Sequence, residues 1–486
     1  MEKKRVALVL SGGVSLGSYI AGALDELLRA LALSGAYEID VITGASAGAT
    51  TAALIAHGLL YRGGDTALHD VWVKQIDMHD LLDPCISPDE PFSLLSNRRL
   101  TDVARHVLSW CTKWGEPRRS PLCAERLIVA MTIANIEGVS YRSRVRMPTG
   151  DKEESFLQVR HAEQEVFYLS DQIRPDDAIW QRIGDVALAS AALPGVFPPV
   201  PLRRCATNPD HYIQQPEFAG EAEFLYCDGG TFNNLPIDLA WHYARQSPGA
   251  SSAERVIIIV DPSRDPVRPL NPLPPRQRAL YRNPLIYFGS LISAVHTESS
   301  AVQFDREVVL PAVTSGRDSD LRGALPGVDR ADVELLNNVA LVLPLENAPR
   351  LYGSHLGYAL AAFLDERLRE HDFRRGAADA RRVGRDLLEL PEVTGRPDGF
   401  YDPDADPNLV VDMRSYAGLD TIVSTGDPRR TVRQCFESDL RARMHALIDR
   451  VPLPWPRWVW LYGWLVRLLA RWLIWRKVRE ALPGLW

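Results

Sequence analysis

Gly44-Ala45-Ser46-Ala47-Gly48 is the stretch that most constrains what this chain can fold into. It follows residues 37–43, where Ile39, Val41 and Ile42 read as a short buried strand, and it runs into residues 49–56, a small-residue helix. A G-x-S-x-G at a strand-to-helix junction is a nucleophile elbow. Gly44 and Gly48 are required because a Cβ two positions either side of the serine collides with strand or helix. The turn lifts the Ser46 hydroxyl out of the sheet and leaves the N–H of Ala47 free to bind an oxyanion. The competing reading is a small-residue turn without chemistry. Five-residue matches arise by chance in a chain of 486 residues, so the surrounding sequence has to decide.

That surrounding sequence reads as alternating strands and helices. Residues 6–10 form a continuous apolar run, as in a parallel sheet covered on both faces. A glycine-bearing loop at 11–17 leads into a helix over 16–31, with Ile20, Leu24, Leu27, Leu28 and Leu31 on one face. Residues 127–133, 256–260 and 339–343 read as further buried strands. The pattern predicts an α/β layer fold with a mostly parallel central sheet and helices on both faces. Helical or irregular insertions are expected at about 60–121 and 150–183, and a proline-rich extended loop at 261–284. Residues 391–406 form a second break. The basic residues at the start precede an apolar run too short for an export signal, and 6–10 read as the first strand.

Composition narrows the function classes. The net charge of -7 does not favour nucleic acid as a partner. The six cysteines are scattered with no C-x-x-C pair, which argues against a zinc site and a disulfide framework and for a reducing, cytoplasmic setting. No metal or other cofactor is implied.

Two loops could serve Ser46. Gly12 and Gly13 end the first strand just ahead of a helix, where backbone N–H groups gather negative charge. The Rossmann and P-loop spacings both fail here. An oxyanion hole for acyl transfer fits the serine on the next strand, and a turn that merely needs glycine is the alternative. Asp228-Gly229-Gly230 follows a strand end at 224–227. It reads either as a turn or as a carboxylate that its glycines let stand clear as a base. Of the 11 histidines, His57, His242 and His355 sit in no catalytic signal.

Taken in order, Ser11-Gly12-Gly13-Val14-Ser15-Leu16-Gly17, Gly44–Gly48 and Asp228-Gly229-Gly230 resemble the patatin-like phospholipase family. Residues 189–199 (ASAALPGVFPP) resemble that family's Ala-Ser-x-Ala-x-Pro-x-x-Phe-x-Pro segment, and residues 369–376 resemble a C-terminal segment of bacterial members. The resemblance spans about residues 4–380. It implies a three-layer patatin-like fold and a Ser–Asp dyad: Ser46 as nucleophile, Asp228 as general base, and Gly12, Gly13 and Ala47 as oxyanion donors. Gly17, Gly44, Gly48 and Gly229 would support the motifs. The activity implied is hydrolysis of acyl esters in membrane phospholipids through an acyl-Ser46 intermediate. The loop differs from the family's usual one at Ser11, Val14 and Leu16, which replace aspartate, glycine and arginine. Val14 keeps its N–H, but a β-branched residue resists positive φ. A histidine-dependent α/β-hydrolase and a non-catalytic membrane-binding scaffold are the alternatives.

Beyond a helical or irregular extension at 381–450, residues 451–486 form a second signal. They hold seven of the chain's 12 tryptophans, with Arg457, Arg467, Arg471, Arg476, Lys477 and Arg479 against the single acid Glu480. An amphipathic helix lying on an anionic membrane surface suits this composition. The alternatives are a spanning helix, which Arg467 and Arg471 disfavour, and a helix packed on the body or on a second copy of the chain.

Overall fold

The structure is a computed structural model. It describes residues 3–86, 93–109, 115–146, 153–212, 214–246, 255–263, 278, 282, 284–309, 339–344, 351, 360–393, 419–420, 423–424, 426–450 and 463–485. Strand β1 (Lys4–Leu10) leads through a single turn at Val14–Leu16 into helix α1 (Gly17–Ser34). Strand β2 (Tyr37–Gly44) and helix α2 (Ala47–Tyr61) follow, then the short helix α3 (Met78–Leu81) and α4 (Arg98–Val107). A hairpin of two long strands, β3 (Cys123–Arg146) and β4 (Glu153–Leu169), precedes α5 (Ile179–Ser190) and the strands β5 (Val200–Cys205) and β6 (Glu221–Asp228). The chain continues through α6 (Gly230–Asn233), α7 (Ile237–Gln246), β7 (Arg255–Val260), α8 (Pro284–Phe304) and β8 (Val339–Val342). It closes with α9 (Glu366–Leu388), α10 (Val432–Arg450) and α11 (Gly463–Leu485).

Among the described residues the strands form one sheet in the order β5-β6-β3-β2-β1-β7-β8, with β4 on β3. Pairs β1–β2, β2–β3, β1–β7 and β7–β8 are parallel, while β4 and β6 pair with β3, and β5 with β6, antiparallel. Alternate residues of β1 enter opposite layers. Val6, Leu8 and Leu10 pack with α1, α2 and α5, whereas Ala7 and Val9 join Leu239, Ala240 and Trp241 of α7. With both faces covered, the central strands read as continuous apolar runs rather than alternating ones. The mostly parallel α/β fold expected from the sequence is what the chain adopts.

One expectation fails. Residues 153–169 lie in a strand, not in a helical or irregular insertion. The reason is a buried charge cluster. Glu163 and Glu165, which look like loop residues, are buried beside Arg204, which contacts Glu165 at 2.5 Å and Glu163 at 3.5 Å. Tyr226 also donates to Glu163 at 2.8 Å. The strand read at 127–133 likewise extends to Arg146. Most of the proline-rich tract at 261–284 and of the break at 391–406 lies outside the described residues.

The segment at 369–376 sits in α9, which crosses α1 closely. A Cβ on Gly22 would lie 1.8 Å from the carbonyl oxygen of Phe373, and one on Gly376 would lie 2.0 Å from that of Tyr19. Tyr19 completes the contact by donating to Asp379 at 2.9 Å. Beneath the sheet, Arg255 of β7 reaches across β1 to Asp40 of β2 with two hydrogen bonds of 2.7 Å, and both side chains are buried. Replacing Asp40→Asn leaves a buried guanidinium without its counter-charge. Urea unfolding should show a loss of about 3–5 kcal/mol, and a loss near zero would show that the pair does not hold these strands.

Candidate active site

Two strands end opposite neighbouring positions of β3. Met131 faces Gly44 of β2 on one side and Glu165 of β4 on the other. Two residues on, Ile133 faces Asp228 of β6 and Glu163 of β4. β4 therefore occupies one edge of β3, and β2 and β6 share the other. β2 runs parallel to β3 and β6 antiparallel, so their C-terminal ends point at each other. Ser46, two residues beyond Gly44, and Asp228, at the last position of β6, are brought together by that head-to-head arrangement. Ser46 Oγ donates to Asp228 Oδ2 at 2.7 Å.

The elbow obeys the steric logic of its sequence. A Cβ on Gly44 would lie 2.5 Å from the Gly48 carbonyl oxygen, and one on Gly48 would lie 2.3 Å from that of Leu10. Ser46 itself sits at φ 51°, ψ −120°, a region that costs a non-glycine residue about 1–3 kcal/mol. The strain is held by the surroundings. Ala45 N–H donates to Leu10 O at 3.1 Å, and Ser46 N–H donates to the hydroxyl of Ser190 at 2.9 Å.

Ser190 lies in the segment 189–199, which grips both partners. Its carbonyl accepts from Gly229 N–H at 3.2 Å, and the carbonyl of Ala192 accepts from Asp228 N–H at 2.9 Å. The other carboxylate oxygen of Asp228, Oδ1, accepts from Gly230 N–H at 2.7 Å. Asp228 and Ser46 are 1% and 3% exposed, so the hydrogen bond between them is shielded from bulk water. A Cβ on Gly229 would lie 2.1 Å from the carbonyl oxygen of Thr132 on β3, so this loop must also be bare.

The loop after β1 corrects one expectation. Gly12 N–H donates to Asn234 O at 3.1 Å, so it is not available to an oxyanion. Gly12 serves by having no side chain: a Cβ there would lie 2.1 Å from Asn234 Oδ1 and 3.0 Å from Ser46 Cβ. Among the described residues the N–H groups of Gly13 and Ala47 have no acceptor. Ala47 is also the first residue of α2, where the helix dipole favours negative charge. Val14 takes φ 53° despite its branched side chain. It lines an apolar cavity with Ser46, Ala47, Ala53, Leu54, Trp72, Val103, Leu108, Gly184, Ala187 and Phe197. Leu16 is buried in the core, and Gly17 makes room for the Trp72 ring.

Helix α8, at a position where the sequence suggests no element, closes the site from the far side. Ser299 accepts from Asn234 N–H at 3.0 Å, and Ser300 accepts from Asn234 Nδ2 at 2.8 Å. His296, one turn earlier, places Nε2 3.9 Å from Asp228 Oδ1. His57, by contrast, is buried in α2 against Tyr61 and Trp180, where burial pushes it down to about 4. His242 contacts Gln246, and His355 lies outside the described residues. Among the described residues no group of three or more His, Cys, Asp or Glu side chains could hold a metal ion.

Residues 8–241 match the family model described as patatin-like phospholipase. No curated protein matches the chain. Among solved structures, VipD from Legionella pneumophila is similar at 12% identity, with a TM-score of 0.23, over 100% of this chain and 90% of that one. A likeness of that degree carries no argument about fold or function.

The contact from Ser190 makes the elbow testable by itself. Ser190→Ala should slow modification of Ser46 by a fluorophosphonate about two- to tenfold, the equivalent of one hydrogen bond of ~0.5–1.5 kcal/mol. An unchanged rate would show that the Ser190 hydroxyl does not hold the serine.

Proposed function

Residues 8–241 form a patatin-like phospholipase domain, and on that premise we propose that the protein is a serine acyl hydrolase cleaving acyl esters of membrane glycerolipids through Ser46 and Asp228. The family supports a lipid acyl hydrolase in general. The observation that carries the finer reading is the 2.7 Å hydrogen bond from Ser46 Oγ to the buried Asp228 carboxylate. Asp228 Oδ2 takes the hydroxyl proton as Oγ attacks the ester carbonyl. Negative charge on the carbonyl oxygen meets the N–H groups of Gly13 and Ala47, each worth about 2.7–4 kcal/mol of barrier. The tetrahedral intermediate collapses, the proton on Asp228 passes to the departing lysolipid alcohol, and the acyl group remains on Ser46. Asp228 then deprotonates water, which attacks the acyl-serine. The fatty acid leaves and the proton returns to Oγ. The apolar cavity beside Ser46 suits a hydrocarbon chain, because nearly all its lining is aliphatic or aromatic.

The tail supplies the second part of the reading. In α11, Leu468, Trp472, Leu473 and Ile474 are exposed, while Trp475, Val478 and Leu482 pack against the body. α11 lies beside α8, whose outer face exposes Tyr287, Phe288, Leu291 and Val295 and whose inner face carries His296. The exposed apolar residues of the two helices are proposed to form one membrane-facing surface next to the site. Isolated exposed apolar residues are normal, but a contiguous set marks a binding face. Arg476 stands over the Trp472 ring at 5.6 Å, and the positive charge of the segment suits anionic headgroups. No helix among the described residues is long and apolar enough to cross a membrane, so the face is proposed to bind peripherally.

Two outcomes follow. Incubated with phospholipid vesicles, the wild type should release fatty acid, and Ser46→Ala and Asp228→Asn should each lower release by at least about a thousandfold. Full activity in either variant would remove the dyad. In flotation with anionic vesicles, Trp472→Glu should weaken binding about tenfold or more, since burying one such side chain contributes ~1.5–3 kcal/mol. Intact flotation with no turnover of any acyl ester would instead assign the chain a membrane-binding role.

A further inference from the structure

A buried polar atom beside the dyad is left without a partner. His296 Nδ1 lies 2.9 Å from the carbonyl oxygen of Ile292, one turn back on α8. A carbonyl only accepts, so Nδ1 carries a proton in either charge state. In the neutral ring Nε2 is therefore bare. That atom is buried, has no hydrogen-bond partner among the described residues, and faces Asp228 Oδ1 at 3.9 Å. Two acceptors then face each other across the gap. On protonation, Nε2–H and the carboxylate form an ion pair instead.

We propose that His296 is a positioning residue that sets the basicity of Asp228: the neutral ring leaves the carboxylate free to take the Ser46 proton, and the protonated ring holds it as an anion. The inference rests on Asp228 being the base for Ser46. An ion pair with His296 has to be given up when Asp228 is protonated, so the charged ring stabilises the resting state more than the transition state. A cation near a carboxylate also makes it a weaker base. The side chain of His296 is 18% exposed, although Nε2 itself is buried.

The surroundings leave Asp228 as the charge that controls the ring. Burial favours the neutral imidazole, but the Asp228 carboxylate and the Ile292 carbonyl outweigh it and hold the histidine above its ordinary value. Other charged groups on elements around α8 are engaged elsewhere. Asp238, Arg245 and Arg306 surround Glu307. Arg471 of α11 pairs with Asp449, and Arg479 lies 3.6 Å from Glu437. Gly230 leaves room for the ring, since a Cβ there would lie 3.0 Å from His296 Cδ2. The switch runs one way: the site is active where the ring is neutral and restrained where it is protonated.

The test is the pH profile of kcat/KM on a soluble acyl ester, for the wild type and for His296→Gln. The wild type should step about tenfold between a lower acidic plateau and an upper one, as expected when the carboxylate gains a cationic partner. His296→Gln should lose that step and keep only the fall caused by Asp228 itself. A step that persists in His296→Gln, or an equal loss at every pH, would overturn the proposal. A second measurement does not need an active variant. In Ser46→Ala protein, an NMR titration of His296 should move down by about one unit or more when Asp228→Asn is added, and an unmoved titration would overturn the coupling. If Asp228→Asn alone stays active, the dyad fails, and the NMR result still reports whether the two side chains are coupled.

Discussion

One edge of β3 carries two strands that meet end to end, and the site depends on that constraint. β2 arrives parallel and stops at Met131, while β6 arrives antiparallel and stops at Ile133. Neither strand can continue without running into the other, so both chains must turn out of the sheet at the same place. One turn becomes the elbow at Ser46 and the other becomes the Asp-Gly-Gly loop. The 2.7 Å contact between their side chains is a product of backbone pairing, and its rigidity is inherited from a sheet covered on both faces. β3 serves β2 and β6 up to Asn135, and from Val139 to Arg146 it pairs with β4 alone.

The neighbouring loops fix the remaining degrees of freedom. Segment 189–199 ties the serine to the aspartate through Ser190 and Ala192. Asn234 links the first loop to α8 by accepting from Gly12 and donating to the serines of that helix. Two of the four non-glycine residues at positive φ among the described residues, Val14 at 53° and Ser46 at 51°, lie at the site. In both cases an ordinary residue is forced where glycine is preferred. At Ser46 the reward is a side chain that stands clear of the sheet. At Val14 the side chain lines the cavity beside the serine.

Local chemistry was legible in the sequence and tertiary direction was not. Gly44 and Gly48 could be read because their clashes are with the adjacent strand and helix. The strands flanking the elbow showed because burial on both faces leaves continuous apolar runs. Residues 153–169 misled because Glu163 and Glu165 are buried by partnership with Arg204 and Tyr226, which no periodicity displays. Gly12 could be recognised as a required glycine, but spacing does not say where an N–H points. His296 and Ser190 act through partners roughly 70 to 140 residues away, and α8 follows a proline-rich tract that hides its start.

The central claim is that Ser46 carries the acyl group. Rapid quenching of the enzyme with a phospholipid substrate, followed by peptide mass spectrometry, tests it most directly. The peptide containing Ser46 should gain the mass of one fatty acyl chain, and Ser46→Ala protein should show no acylated peptide. An acyl group on any other residue, or turnover with Ser46 unmodified at every time point, would contradict it.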